Sequence, residues 1–99
     1  MKTVANTILQ QLGGNRFIVM TGAKNFVYTD NSLTFRLPVR SANKSIRIVR
    51  ITLEPSDTYT VAFFSERKSG IHLVSEHDDI YVENLQSVFT KATGLYTHL

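Results

Sequence analysis

Ile46-Arg47-Ile48-Val49-Arg50-Ile51-Thr52-Leu53-Glu54-Pro55-Ser56-Asp57-Thr58-Tyr59-Thr60-Val61-Ala62-Phe63-Phe64 holds two strand patterns around one turn. β-Branched and aromatic residues crowd both arms, and Pro55-Ser56-Asp57 supplies turn chemistry between them. Folding the segment about Ser56 sets Leu53 against Tyr59, Ile51 against Val61 and Val49 against Phe63. Thr52 then meets Thr60 on the other face. Side chains alternate faces along a strand, so a slip of one residue would turn the whole apolar set towards water, and the agreement fixes the register. The first arm carries one irregularity. Ile46 and Ile48 share a phase that Val49, Ile51 and Leu53 do not; a β-bulge near Ile48-Val49, or burial of both faces, reconciles them.

Downstream, Lys68-Ser69-Gly70 turns the chain into a further strand over Ile71–Glu76. Tyr81, Leu85, Val88, Phe89 and Ala92 then fall on one helical stripe, which predicts a helix over 80–93. Asp78 or Asp79 is its expected cap, and Gly94 its stop. Leu95, Tyr96 and Leu99 form an apolar tail expected to fold back on the domain. Upstream, Leu33, Phe35 and Leu37 alternate with Thr34 and Arg36, a half-buried strand that Pro38 ends or places on an edge, and residues 39–45 read as a loop. Phe26-Val27-Tyr28 and Arg16–Met20 read as short extended pieces on either side of a break at 21–25. Val4, Ala5, Ile8, Leu9 and Leu12 make a helical stripe over 3–12 that Gly13-Gly14 stops. The expected fold is α+β, one domain over residues 1–99. It has an antiparallel sheet of about five strands flanked by an N-terminal and a C-terminal helix, both on one face.

Ninety-nine residues, 42% hydrophobic and 19% charged, suffice for one core and do not fit a disordered chain. Cysteine is absent, which excludes disulfides, thiolate nucleophiles and cysteine-held zinc. Met1–Asn6 lacks the apolar run of a signal peptide, and no stretch approaches the length of a membrane span. These features lead to the expectation of a cytoplasmic protein without membrane contact.

The side chains that carry chemistry form no recognisable set. Three histidines, His72, His77 and His98, fall in the last strand, in the loop after it and at the end of the chain. His77 with Glu76, Asp78 and Asp79 makes an acidic cluster, but the calcium-loop pattern of alternating acids around a glycine is missing. The cluster reads as a solvated helix start. No Gly-x-Ser-x-Gly elbow occurs, and Gly22-Ala23-Lys24 lacks the second glycine and the following helix of a phosphate loop. The expectation is a protein without catalytic, metal or cofactor residues, not an enzyme.

Charge is the more informative signal. Residues 1–50 carry eight cations and one anion; residues 51–99 carry three cations and seven anions. Arg36, Arg40, Lys44, Arg47 and Arg50 follow one another with no acid between them and are the candidate nucleic-acid-binding residues. Against that stands cross-strand pairing of the two oppositely charged halves. Arg47 and Arg50, three apart on one strand, face opposite ways unless the bulge intervenes.

One long string, Leu12-Gly13-Gly14-Asn15-Arg16-Phe17-Ile18-Val19-Met20-Thr21-Gly22-Ala23-Lys24-Asn25-Phe26, resembles one found in a family of small uncharacterised bacteriophage and prophage proteins. Asp57-Thr58-Tyr59-Thr60 and the closing segments, Tyr81 with Leu85–Thr90 and Thr93–Thr97 with Leu99, are similar to the same family. The resemblance implies expression inside a bacterial host and carries over no functional residue. The functional expectation is a non-catalytic accessory protein acting on a macromolecule by protein interaction. The alternative is nucleic-acid binding through 36–50, and an enzyme without a recognisable motif is the third class.

Overall fold

The computed structural model of the chain describes residues 3–38 and 46–95. Three helices, α1 (Thr3–Leu12), α2 (Asn15–Thr21) and α3 (Leu85–Thr93), accompany five strands. These are β1 (Lys24–Tyr28), β2 (Ser32–Arg36), β3 (Ile46–Leu53), β4 (Tyr59–Arg67) and β5 (Gly70–Ile80). The strands form one antiparallel sheet in the order β1-β2-β3-β4-β5, a meander in which position along the chain is position across the sheet. The fold is the expected α+β arrangement with its helices on one face.

The β3–β4 hairpin has the register its apolar phase predicts. Leu53 lies opposite Tyr59, Ile51 opposite Val61, Val49 opposite Phe63 and Thr52 opposite Thr60. The Glu54 N–H donates to the Thr58 carbonyl at 2.9 Å and the Asp57 N–H to the Glu54 carbonyl at 3.0 Å, closing the turn with Asp57 at φ 64°. The bulge is present one step earlier than expected. Ile46 pairs with Ser65 and Ile48 with Phe64, so Arg47 is the extra residue. Ile46 thereby joins Val49 and Ile51 in the core, while Ile48 turns to the other face of the sheet.

The core is the face that carries Leu33, Phe35, Val49, Ile51, Val61 and Phe63, covered by Ile8 and Leu12 of α1, Phe17 of α2, and Leu85 and Phe89 of α3. Phe17 stands edge-on to Phe35 and to Phe89, with centroids 5.3 and 5.2 Å apart. Two polar contacts tie the helices in place. The Gln86 side chain donates to the Leu12 carbonyl at 2.8 Å, taking up an orphan acceptor at the end of α1, and the Tyr59 hydroxyl donates to Gln11. Burial raises the pKa of that phenol.

Three expectations are corrected. Arg16–Met20, read as a strand, lies within helix α2: Phe17, Ile18 and Thr21 form a helical stripe with Phe17 and Thr21 buried, while Val19 is 81% exposed. Gly14 at φ 62° and Gly22 at φ 73° bracket it, each in the left-handed region that glycine adopts without penalty. The acidic cluster does not start a helix. Glu76, His77, Asp78 and Asp79 belong to β5, which runs four residues further than expected. The C-terminal helix begins at Leu85 after a 3-10 turn at Val82–Asn84, with Asn84 and not an aspartate at its N-cap, so Tyr81 is left outside and exposed. Leu95 packs against the core; Tyr96, Leu99 and His98 lie outside the described residues.

Candidate functional site

The face of the sheet opposite the helices has no covering layer among the described residues. Its composition follows from the register. Lys24, Arg36, Ile48, Phe64 and Leu73 are successive cross-strand partners and make one row across all five strands. Val27, Thr34, Arg50, Ala62 and Glu76 make the next row. The intervening row, Phe35, Val49 and Phe63, points into the core. Because the chain meanders, its charge asymmetry becomes a gradient: cations on β1–β3, carboxylates mainly on β4 and β5, and apolar side chains among them.

Arg36 is where the two sides meet. Its guanidinium donates to both carboxylate oxygens of Glu66, at 2.7 and 3.2 Å, reaching from β2 across β3 to β4. The hydrogen bonds, then the charge, hold the Glu66 carboxyl below the ordinary glutamate range and raise the Arg36 pKa. Arg47, delivered by the bulge, adds a smaller charge effect on Glu66. Arg50 is exposed, with its guanidinium carbon 5.2 Å from the centroid of the Phe64 ring, a cation–π position. On the acidic side, the Thr60 hydroxyl donates to Asp78 at 3.4 Å.

Between these charges lies an apolar surface. Ile48 and Ala62 are buried although they face away from the helices, Phe64 is half-buried, and Val27, Ile71 and Leu73 are exposed. Val27, Arg36, Ile48, Arg50, Phe64 and Ile71 line a shallow depression of about 330 Å³. Phosphate oxygens need donors, and this floor offers hydrocarbon. A surface of aliphatic and aromatic side chains with arginines standing over it has the composition of the buried centre of a protein–protein interface.

Of the five cations singled out in the sequence, Arg36, Arg47 and Arg50 gather around the open face, while Arg40 and Lys44 lie outside the described residues. The apolar members were missed, yet one signal was available. In Ala62-Phe63-Phe64 consecutive residues must face opposite ways, so Phe63 in the core puts Phe64 outside it. His72 and His77 do not converge. His77 stands edge-on to Phe63 on the helix side at 5.9 Å, and His72 pairs with the Ser69 hydroxyl at 2.8 Å. Among the described residues no three His, Asp or Glu side chains are grouped to hold a metal ion, and no helix is long and apolar enough to cross a membrane. No protein-family model, no curated protein and no solved structure matches the chain.

Proposed function

We propose that this chain is a non-catalytic binding module, of the kind a bacteriophage uses inside its host, and that it docks a protein on the open face of its sheet. The observation that carries the reading is the apolar row Ile48–Phe64–Leu73 on a face without a covering layer among the described residues, with Phe64 half-buried, Leu73 exposed and Arg50 above Phe64. The fitting partner presents apolar side chains to that row and carboxylates to Arg47, Arg50 and Lys24. Nucleic-acid binding through the 36–50 segment draws less support, because Arg36 already spends its planar fork on Glu66.

Capture from a bacterial lysate, with and without nuclease, separates the two. The predicted result is a protein retained after nuclease treatment, lost with Leu73→Glu or Arg50→Glu, and kept with Val19→Glu on the helical side. A partner that disappears with nuclease, or that ignores both open-face changes, would overturn the reading.

A further inference from the structure

Strand β5 is the longest in the sheet, eleven residues, and it is an edge. Among the described residues only one side of its backbone ladder is occupied, by β4. Its side chains are nearly all exposed, including Ile71 at 55%, Leu73 at 57% and Val74 at 37%. A long edge with bare apolar side chains invites pairing with another strand. Proteins guard such edges with charges, and here the charges are sorted. Arg67 and Lys68 stand at the hairpin end of β5, while Glu76, Asp78 and Asp79 stand at the other end.

From this sorting we infer that β5 pairs antiparallel with β5 of a second copy of the chain, joining two five-stranded sheets into one. A twofold axis reverses the strand, so the basic end of each copy meets the acidic end of the other, at both ends of the contact. A parallel arrangement would set like charges side by side. The register that brings Lys68 to Glu76 of the second copy places His72 on the axis. It also sets Ile71 opposite Leu73 of the second copy. Ile71 and Leu73 lie on one face of β5, opposite Glu66 and Phe64 of β4. The two copies together therefore bring four apolar side chains into one patch across the junction. The backbone groups on the free side of β5 gain partners in the same step, the physics of strand addition. The contact is the edge of the sheet, and it stands whether or not a partner protein occupies the open face.

Charge-swap complementation tests the arrangement in the full chain, with mass read by sedimentation over a concentration series and folding checked by circular dichroism. Wild type should shift from the monomer mass towards twice that value, the more so at low salt. Lys68→Glu sets acid against acid and should remain monomeric; Glu76→Lys sets base against base and should do the same. Mixing the two variants makes both ends attractive again and should restore a species of twice the mass. Val19→Glu, on the helical side, should leave association unchanged. A wild type that stays monomeric at millimolar concentration would refute the inference. So would a dimer indifferent to the charge reversals, or variants that fail to complement each other.

Discussion

At the scale of single residues, Gly22 shows how backbone and packing demands combine. It closes α2 at φ 73°, and a Cβ built on it would lie 2.7 Å from Cγ of Pro38, a ring atom with little freedom to retreat. Gly70 has φ 123° with nothing within 4 Å of such a Cβ. Gly70→Ala should therefore lose only the backbone contribution, about 1 kcal/mol, and Gly22→Ala distinctly more. Urea denaturation of the two variants measures both, and equal losses would mean that the Pro38 contact does not matter. Glu66 gives a residue-scale prediction in pH. Its folded pKa is lowered by Arg36, so the pair contributes stability that is complete above the ordinary glutamate pKa and is lost as pH falls through the lowered value. The difference in stability between wild type and Glu66→Gln should be present at neutral pH and fade below about pH 4. It is small, because both groups are solvated. A difference that grew on acidification would contradict the assignment.

At the scale of elements, α3 docks through Leu85 and Phe89, both fully buried, and Phe89 completes an aromatic cluster with Phe17 and Phe35. Phe89→Ala should cost about 3–5 kcal/mol, a large share of the stability of so small a domain. A melting temperature unchanged by the substitution would mean that α3 is not packed as described. The elements also show which parts of the fold the residues announce. The β3–β4 hairpin was legible because turn chemistry and apolar phase are independent signals that agree on Ser56. α2 was not, because Phe17-Ile18-Val19 has the composition of a strand and seven residues span too few turns for a helical period to stand out. What makes it a helix is tertiary: Phe17 fills the space between Phe35 and Phe89. The end of β5 was misread because an acidic cluster before an apolar stripe has the appearance of a helix start, whereas here Val61 takes His77 and Tyr59 takes Ile80 as cross-strand partners. Asp79, at φ 56°, lies at the irregularity between those two pairs.

At the scale of the whole molecule, the meander turns a linear charge asymmetry into a spatial one. The sequence displayed the asymmetry, but not the face on which its members would meet, because that depends on where the bulge falls. With Arg47 as the extra residue, Ile48 leaves the core and shares the open face with Arg50 and Phe64. Among the described residues a bidentate pair, Arg36 with Glu66, links the two halves across the sheet, and Arg50 over Phe64 is left facing solvent. The open face thus sets apolar side chains from β1 to β5 among cations towards β1 and carboxylates towards β5, and it is there that we propose a protein docks. Site-specific photo-crosslinking in bacterial cells tests it most directly, with the photoreactive residue placed in turn at Val27, Leu73 and, on the helical side, Val19. A discrete protein adduct is expected from Val27 and Leu73, unaffected by nuclease, and none from Val19. Adducts confined to Val19, or adducts from the open face that nuclease destroys, would contradict it.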